Sequence, residues 1–362
     1  MSFDRFSDIW SVVFMICPGK RNLITDVDGI MVGNAHDSGA RSGVTVILPE
    51  NGATASGEVR GAAPGTREMD LLDPTCMIEN IDAICLSGGS VHGLASGEAV
   101  VSWLHGEDRG FSLGEWRLPI VPSAIINDLG MGGSKKWGVS PNYSDLAQTA
   151  CEDASFEFSL GNGGAGMGAS AGSRKSGLGS ASIVNDEGLQ VAALVVANPF
   201  GAAVIPGNGT LWSWAMEQNG EMGHQYPPNA IPDINMKMSQ EGKSGENTTL
   251  AGVATNAFLN KAQLKRMAMM AHDGMARGIR PIHTPFDGDV VFALSTKQHA
   301  VESLGIGRHD QITDIHVVAQ IGAFAADCLT RAIGRSVFDA EPLGDYPNYR
   351  QSHSGAFADH TD

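Results

Sequence analysis

The sequence predicts a mixed α/β fold in which sheet and helix layers stack within one large domain. Three observations lead there. Short apolar runs rich in β-branched residues alternate with runs of helical period along most of the chain. Of the 362 residues, 42% are hydrophobic and only 18% charged, a globular composition long enough for one large domain or two modest ones. No linker-like stretch and no internal repeat breaks the alternation.

Taken in order, Ser42–Glu50 reads as a strand and Gly52–Gly61 as its hairpin partner, turned by Glu50-Asn51-Gly52. Ile81–Ser87 reads as a buried strand. The helix after Gly88-Gly89-Ser90 gathers Leu94, Val100, Val101, Trp103 and Leu104 on one face. Leu118–Ile126 is strand-like, and Pro119 and Pro122 place it near an edge. Ser144–Ala154 follows as a helix capped by Ser144. Gly161–Ser180 holds eight glycines in twenty residues. Ser180–Asp186 and Leu189–Asn198 form a hairpin around Asp186-Glu187-Gly188. Pro199–Gly245 is irregular, a length that marks a functional or disordered loop. Asn247–Ala257 and Asp289–Thr296 are strands. Lys261–Ile279 is a helix with Leu264, Met267, Ala268, Ala271 and Met275 on one side. Ile312–Ile333 is another, with Ile315, Val318, Gly322, Ala325 and Leu329 facing inward. The polar tail after about Ser336 is expected to be mobile.

Composition excludes several classes. Lys and Arg number 24 against 40 Asp and Glu, a formal charge of −16, which repels nucleic acid and anionic membrane surfaces. Glycine accounts for 46 residues, about 13% against a usual ~7%, without a Gly-X-Y period. Cys17, Cys76, Cys85, Cys151 and Cys328 show no CxxC spacing and read as small buried hydrophobes with reduced thiols, as in a cytoplasm. The apolar Ile9–Cys17 stretch is nine residues, too short to span a bilayer, and its flank is not basic.

Four patterns carry candidate chemistry. Gly161, Gly163 and Gly166 satisfy G-x-G-x-x-G, and Asp186 stands twenty residues on, which suggests a nucleotide-dependent oxidoreductase. The four glycines and four serines of residues 167–180 oppose the phosphate-binding helix that reading needs. Lys175 is the only lysine between Ala154 and Asn235; it is either an anion-stabilising ammonium in a glycine-lined pocket or an ordinary exposed lysine. Asn247-Thr248-Thr249 joins the long loop to a strand. A Thr there can attack the preceding carbonyl, shift the acyl group from nitrogen to oxygen, and emerge after hydrolysis as an N-terminal nucleophile with its own amine as base. The plain alternative is a Thr-rich strand start. Asp287 and Asp289 flank Gly288 at the head of a strand, and paired carboxylates split their pKa values; solvated turn carboxylates are the alternative. No metal-ligand cluster accompanies them.

Eight segments then fall in a familiar order: GARSGVTVILPE, EVRGAAPGTRE, CLSGGSVHGL, PIVPSAIINDL, NGGAGMGASAG, ALVVANPFG, NTTLAGVATNA and HTPFDGDVVFALST. Together, from about Arg21 to Arg331, they resemble the DmpA-type hydrolases, peptidase family P1 (S58), which are autoproteolytic Ser/Thr N-terminal nucleophile enzymes. SRKSGLGS, the Asn-Thr bond and the paired aspartates are most similar to 6-aminohexanoate-oligomer (nylon) endohydrolases. Other members are aminopeptidases acting on D-Ala or β-amino-acid amides.

The resemblance implies a four-layer αββα sandwich and cleavage between Asn247 and Thr248 into pieces of 247 and 115 residues that stay associated. It implies Thr248 as nucleophile, Asn198 as oxyanion-hole side chain, Lys175 as the group that holds and tunes the nucleophile, and Asp287 and Asp289 as a carboxylate relay. His283 remains equally a structural or a catalytic residue. Asn127 stands where relatives often carry an aromatic residue. The expected activity is endo-hydrolysis of amide oligomers, with an aminopeptidase or amidase on short peptides as the alternative. No cofactor or metal is implied, and a homo-oligomer, a tetramer of cut pairs, is expected.

Overall fold

Two runs, Ser42–Pro49 and Gln190–Asn198, are buried along nearly their whole length. A strand buried on both faces has to lie between two other layers. The computed structural model describes residues 16–230, 247–299 and 311–358, and it shows those layers. In chain order the strands are β1 (Ile16–Cys17), β2 (Ile30–Asp37), β3 (Ser42–Pro49), β4 (Ala53–Val59), β5 (Thr66–Arg67), β6 (Asn80–Ile81), β7 (Ile84–Ser87), β8 (Phe111–Leu113), β9 (Trp116–Leu118) and β10 (Ser123–Ile125). They continue as β11 (Ser170–Ala171), β12 (Arg174–Lys175), β13 (Leu178–Asn185), β14 (Gln190–Asn198), β15 (Thr248–Ala257) and β16 (Val290–His299). The helices are α1 (Ala95–Gly106), α2 (Tyr143–Glu152), α3 (Lys261–Gly278), α4 (Gln311–Phe338) and α5 (Tyr349–Ser352).

One sheet has seven strands in the order β1-β13-β14-β15-β16-β4-β6, and the other five in the order β2-β3-β7-β10-β5. Side-chain alternation divides the core among the layers. On β14, Leu194 and Val196 point to the space between the sheets, where Ile47, Leu86 and Phe292 also pack. Val191, Val195 and Ala197 point the other way, against Leu264 and Met267 of α3 and Leu329 of α4. Val44, Val46 and Leu48 of β3 meet Val100 and Leu104 of α1 and Ala147 and Cys151 of α2. The result is helix, sheet, sheet, helix. Gly252 of β15 marks how closely the sheets approach: a Cβ there would lie 2.5 Å from Ile47 Cδ1.

Four local expectations change. β3 and β4 do not form a hairpin; they lie in different sheets, and Asn51 turns a corner between them. β3 already has β2 and β7 on its two edges, so β4 pairs with β16 instead. The inward stripe of α4 is Val317, Ile321, Ala325, Cys328, Leu329 and Ala332, whereas Ile315 is 67% exposed. The tail after Ser336 is structured as far as Ala358. α4 continues to Phe338, and Tyr349 and Phe357 enter the helix–sheet core. The Tyr349 hydroxyl lies within hydrogen-bond reach of Gly209 O at 2.8 Å and Gln225 Oε1 at 2.9 Å, sharing its one proton between them, and burying Phe357 adds about 1.5–3 kcal/mol. Of the cysteines, Cys85, Cys151 and Cys328 are buried, but Cys17 and Cys76 are exposed.

α3 starts at a capping box in which Asn260 accepts Gln263 N–H and Gln263 returns to Asn260 N–H, both at 2.9 Å. Residues Ile315–Phe338 of α4 are long and apolar enough to cross a bilayer by composition, yet most of that face is buried against the sheet and α3. Arg331 ties α4 to the irregular stretch after β14. It is buried and holds Glu221 through two bonds of 2.6 and 2.8 Å, with further bonds to Ser182 O and Asn22 Oδ1. Most of Ile9–Cys17 and of the residues just before Asn247 lie outside the described residues.

Candidate active site

The antiparallel register of β14 and β15 sets Thr248, the first residue of β15, opposite Asn198, the last of β14. Both are almost fully buried. On the other edge of β15, β16 runs parallel, and the turn that feeds it carries Asp287, Gly288 and Asp289. Asn247 bridges to Asp287 across this turn. The Asn247–Thr248 bond therefore lies where two strand ends and one turn converge.

The carbonyl of that bond has two donors. Gly288 N–H donates to Asn247 O at 3.0 Å, and Thr248 Oγ1 donates to the same oxygen at 2.5 Å. A Cβ on Gly288 would fall 2.8 Å from Thr248 Oγ1 and 2.5 Å from Ala63 O, so the turn can approach this closely only as glycine. Asn198 is oriented from both ends: Oδ1 accepts Ser170 N–H at 3.1 Å and Nδ2 donates to Asn127 O at 3.2 Å. Asn127 thus acts here through its backbone. Its side chain turns away to accept Leu129 N–H at 3.1 Å, so an aromatic in its place is not needed to hold Asn198.

Lys175 is fully buried, which removes the exposed-lysine reading. It pairs with Ser170 across the small β11–β12 ladder, and its ammonium donates to Gly166 O at 3.1 Å and to Ser176 O. Burial pushes its pKa down to about 7, against a smaller upward pull from Asp128. Its link to Thr248 runs through Ser170 and Asn198 rather than through a direct bond.

The two aspartates are buried and packed with donors. Asp287 accepts Phe200 N–H at 2.9 Å, Thr284 N–H at 3.0 Å and the Thr284 hydroxyl at 2.5 Å. Burial, then the neighbouring Asp289, raises its pKa above the ordinary carboxylate value. Asp289 accepts Thr249 N–H at 2.7 Å through Oδ1, and His283 N–H at 3.0 Å with ring Nδ1 at 2.7 Å through Oδ2. Neither carboxylate bonds the Thr248 hydroxyl. They fix the backbone on both sides of it.

The structure thus gathers Thr248, Asn247, Asn198, Asp287 and Asp289 at one point and sets Lys175 just behind them. Sequence reasoning missed the Gly288 amide, the Ser170 amide and the half-buried Phe200–Phe286 pair, whose rings stand 5.2 Å apart beside Asp287. A glycine between two aspartates was the one signal that could have exposed the first. The G-x-G-x-x-G run makes a single 3-10 turn at Gly164–Gly166 and then the β11–β12 hairpin, so the helix required to bind a dinucleotide phosphate does not form. Among the described residues no group of three metal-ligating side chains assembles.

An alignment with peptidase family S58 spans residues 22–349. The chain belongs to peptidase family S58. Within it, an uncharacterized aminopeptidase of Mycobacterium tuberculosis is 40% identical over 347 residues, 93% of this chain and 99% of that protein. A 6-aminohexanoate-oligomer endohydrolase of Paenarthrobacter ureafaciens is 31% identical over 297 residues, 77% of this chain and 76% of that protein. The solved L-aminopeptidase D-Ala-esterase/amidase of Ochrobactrum anthropi, a variant of the Ntn hydrolase fold, matches with a TM-score of 0.65 and 21% identity over 91% of this chain and 90% of that one. The S58 chain described here accordingly has the Ntn hydrolase fold, and it is an enzyme of the amidohydrolase and peptidase class.

Proposed function

We propose that this chain cuts its own Asn247–Thr248 bond and then hydrolyses amides through Thr248. The observation that carries the reading is the pair of donors on Asn247 O, the Thr248 hydroxyl at 2.5 Å and the Gly288 amide at 3.0 Å. Gly288 N–H stabilises the charge that develops on this oxygen when Thr248 Oγ1 adds to the carbonyl carbon. The hydroxyl proton ends on the departing Thr248 nitrogen, and the acyl group rests on Oγ1 as an ester. Water cleaves the ester, giving an Asn247 carboxylate and a free Thr248 amine. That amine, with an ordinary pKa of about 7.7–8.0, is the base for later turnovers. In turnover the substrate acyl group replaces Asn247, Asn198 supplies an oxyanion donor, and Asp287 and Asp289 hold the new terminus.

For the substrate, relatives 40% identical over almost their whole length favour an aminopeptidase or amidase on short peptides. Oligoamide endo-hydrolysis is the second reading, supported by the relatives 31% identical and by the shared Asn-Thr bond. A homo-oligomer of cut pairs, in a cytoplasmic setting, completes the proposal. The apolar side chains that the β8–β9 hairpin exposes, Phe111, Leu113, Trp116 and Leu118, support self-association, and light scattering tests it.

A denaturing gel with N-terminal sequencing of the smaller band tests the first step. The expected start is Thr248, and Thr248→Ala should remain uncut; a cut at that bond in this variant overturns the nucleophile assignment. Paired assays on 6-aminohexanoate trimer and on its N-acetylated form then separate the substrate readings. An aminopeptidase loses the blocked substrate, and an endohydrolase retains it.

A further inference from the structure

His283 sits where the acidic turn begins, and its backbone is left-handed, with φ +56°. A side chain there costs about 1 kcal/mol or more unless something local repays it. The compensation is visible: backbone N–H and ring Nδ1 of one residue both reach Asp289 Oδ2, at 3.0 and 2.7 Å. The other oxygen of Asp289 takes the N–H of Thr249, the residue that follows the nucleophile. Asp289 is wholly buried, so no water competes for these bonds. The opposite edge of the ring has nothing else to do. Nε2 is buried without a partner among the described residues, and the ring meets His272 edge-on with centroids 4.8 Å apart. His272 is itself anchored, Nε2 to Glu58 O at 3.2 Å, and burial keeps it uncharged, its pKa down to about 3. A neutral neighbour fixes the ring of His283 without repelling it.

We propose that His283 is a positioning residue for both self-cleavage and turnover: its ring N–H locks Asp289, and Asp289 in turn fixes Thr249 N–H and so the place of Thr248. This rests on the reading of Thr248 as nucleophile. The chain of contacts is Nδ1–H to carboxylate to amide, and it ends one peptide from the reacting oxygen. A displaced nucleophile costs rate rather than substrate affinity.

Two substitutions separate the ring from the backbone. His283→Gly keeps the left-handed backbone and its N–H but deletes the ring donor. His283→Asn also tolerates this backbone, and its Nδ2 branches from Cγ as the imidazole Nδ1 does, so it returns a donor to the same place. The measurements are the half-time of self-cleavage after synthesis in a cell-free system, and kcat and KM on an amide substrate for the cut enzyme. His283→Gly is expected to slow cleavage and lower kcat about 10- to 100-fold with KM within about twofold, and His283→Asn to recover most of both. Equal rates for His283→Gly and the parent chain overturn the proposal, and so does an Asn variant as slow as the Gly variant. Should His283→Gly fail to fold, His283→Ala takes its place beside the Asn variant: a slow Ala variant with a near-parental Asn variant supports the lock, and near-parental rates in both overturn it. A parent chain that neither cuts itself nor turns over amides instead removes the underlying reading of Thr248, whatever the His283 variants do.

Discussion

Two buried acidic clusters stand at the ends of the two sheets, and they differ in what surrounds them. At the five-stranded sheet, Asp128 accepts the Ser42 hydroxyl at 2.6 Å and Gly89 N–H at 2.8 Å, and Ser42 continues to the Tyr143 phenol at 2.9 Å. At the seven-stranded sheet, Asp287 and Asp289 accept six donors between them within one turn. Burial raises the pKa of Asp128 and of Asp287 alike. Only Asp287 has a second carboxylate pressing it the same way, and only that turn contacts a hydroxyl set against a peptide carbonyl. Burial with satisfied hydrogen bonds therefore marks a structural pin. Burial with a like charge, beside a hydroxyl set against a peptide carbonyl, marks a candidate for chemistry.

That distinction can be broken most sharply at Asp289. Asp289→Ala removes the acceptor of Thr249 and His283, and is expected to slow self-cleavage on a gel by about 10²–10⁴-fold and to lower amide turnover by at least as much. Retention of both would make the acidic turn as structural as Asp128. Gly288→Ala comes next: its Cβ presses on Thr248 Oγ1 and Ala63 O, and cleavage followed over time should slow by about 10²-fold while the circular dichroism spectrum is kept.

Lys175 gives a smaller effect with a definite sign. Its folded pKa of about 7 lies below the ordinary 10.5, so between those values the unfolded chain binds more protons. Stability from this group should rise with pH across that window, by up to ~1.4 kcal/mol per unit, and lie flat below pH 7, where both states are protonated. Denaturant midpoints from pH 6 to 10 should show the rise in the parent chain and lose it in Lys175→Met. The smallest change belongs to the Asp128 cluster. Tyr143→Phe should cost about 1 kcal/mol in a melting curve and leave cleavage and kcat unaltered.

Much of this was readable beforehand, for identifiable reasons. β14, β15 and β16 are long, apolar and sharply bounded, so their ends, and with them Asn198, Thr248 and Asp289, could be placed from the sequence. The paired-strand partners could not. The chain gives β3 and β4 the look of a hairpin, and only the prior claims of β2 and β7 on the edges of β3 send β4 to the other sheet. Residues acting through the backbone, Gly288, Ser170 and Asn127, leave no side-chain signature. The tail misled because Tyr349 and Phe357 are isolated apolar residues among polar ones, and their burial depends on Phe338 at the end of α4 and on Gln225 from a distant segment.

The order of the seven-stranded sheet has a consequence for molecularity. β15 and β16 lie between β14 and β4, so a cut before Thr248 would leave the smaller piece as the two central strands of a sheet whose flanks belong to the larger piece. Arg331, on the smaller piece, would still grip Glu221, Ser182 and Asn22 on the larger. Neither piece could leave without tearing two strand ladders. Yet the unfolded state would now be two chains rather than one, so folding, unimolecular before the cut, would be bimolecular after it, with a midpoint that falls on dilution. The mature protein would owe its persistence to the height of its unfolding barrier, and its first folding would be the only one it could complete as a single chain.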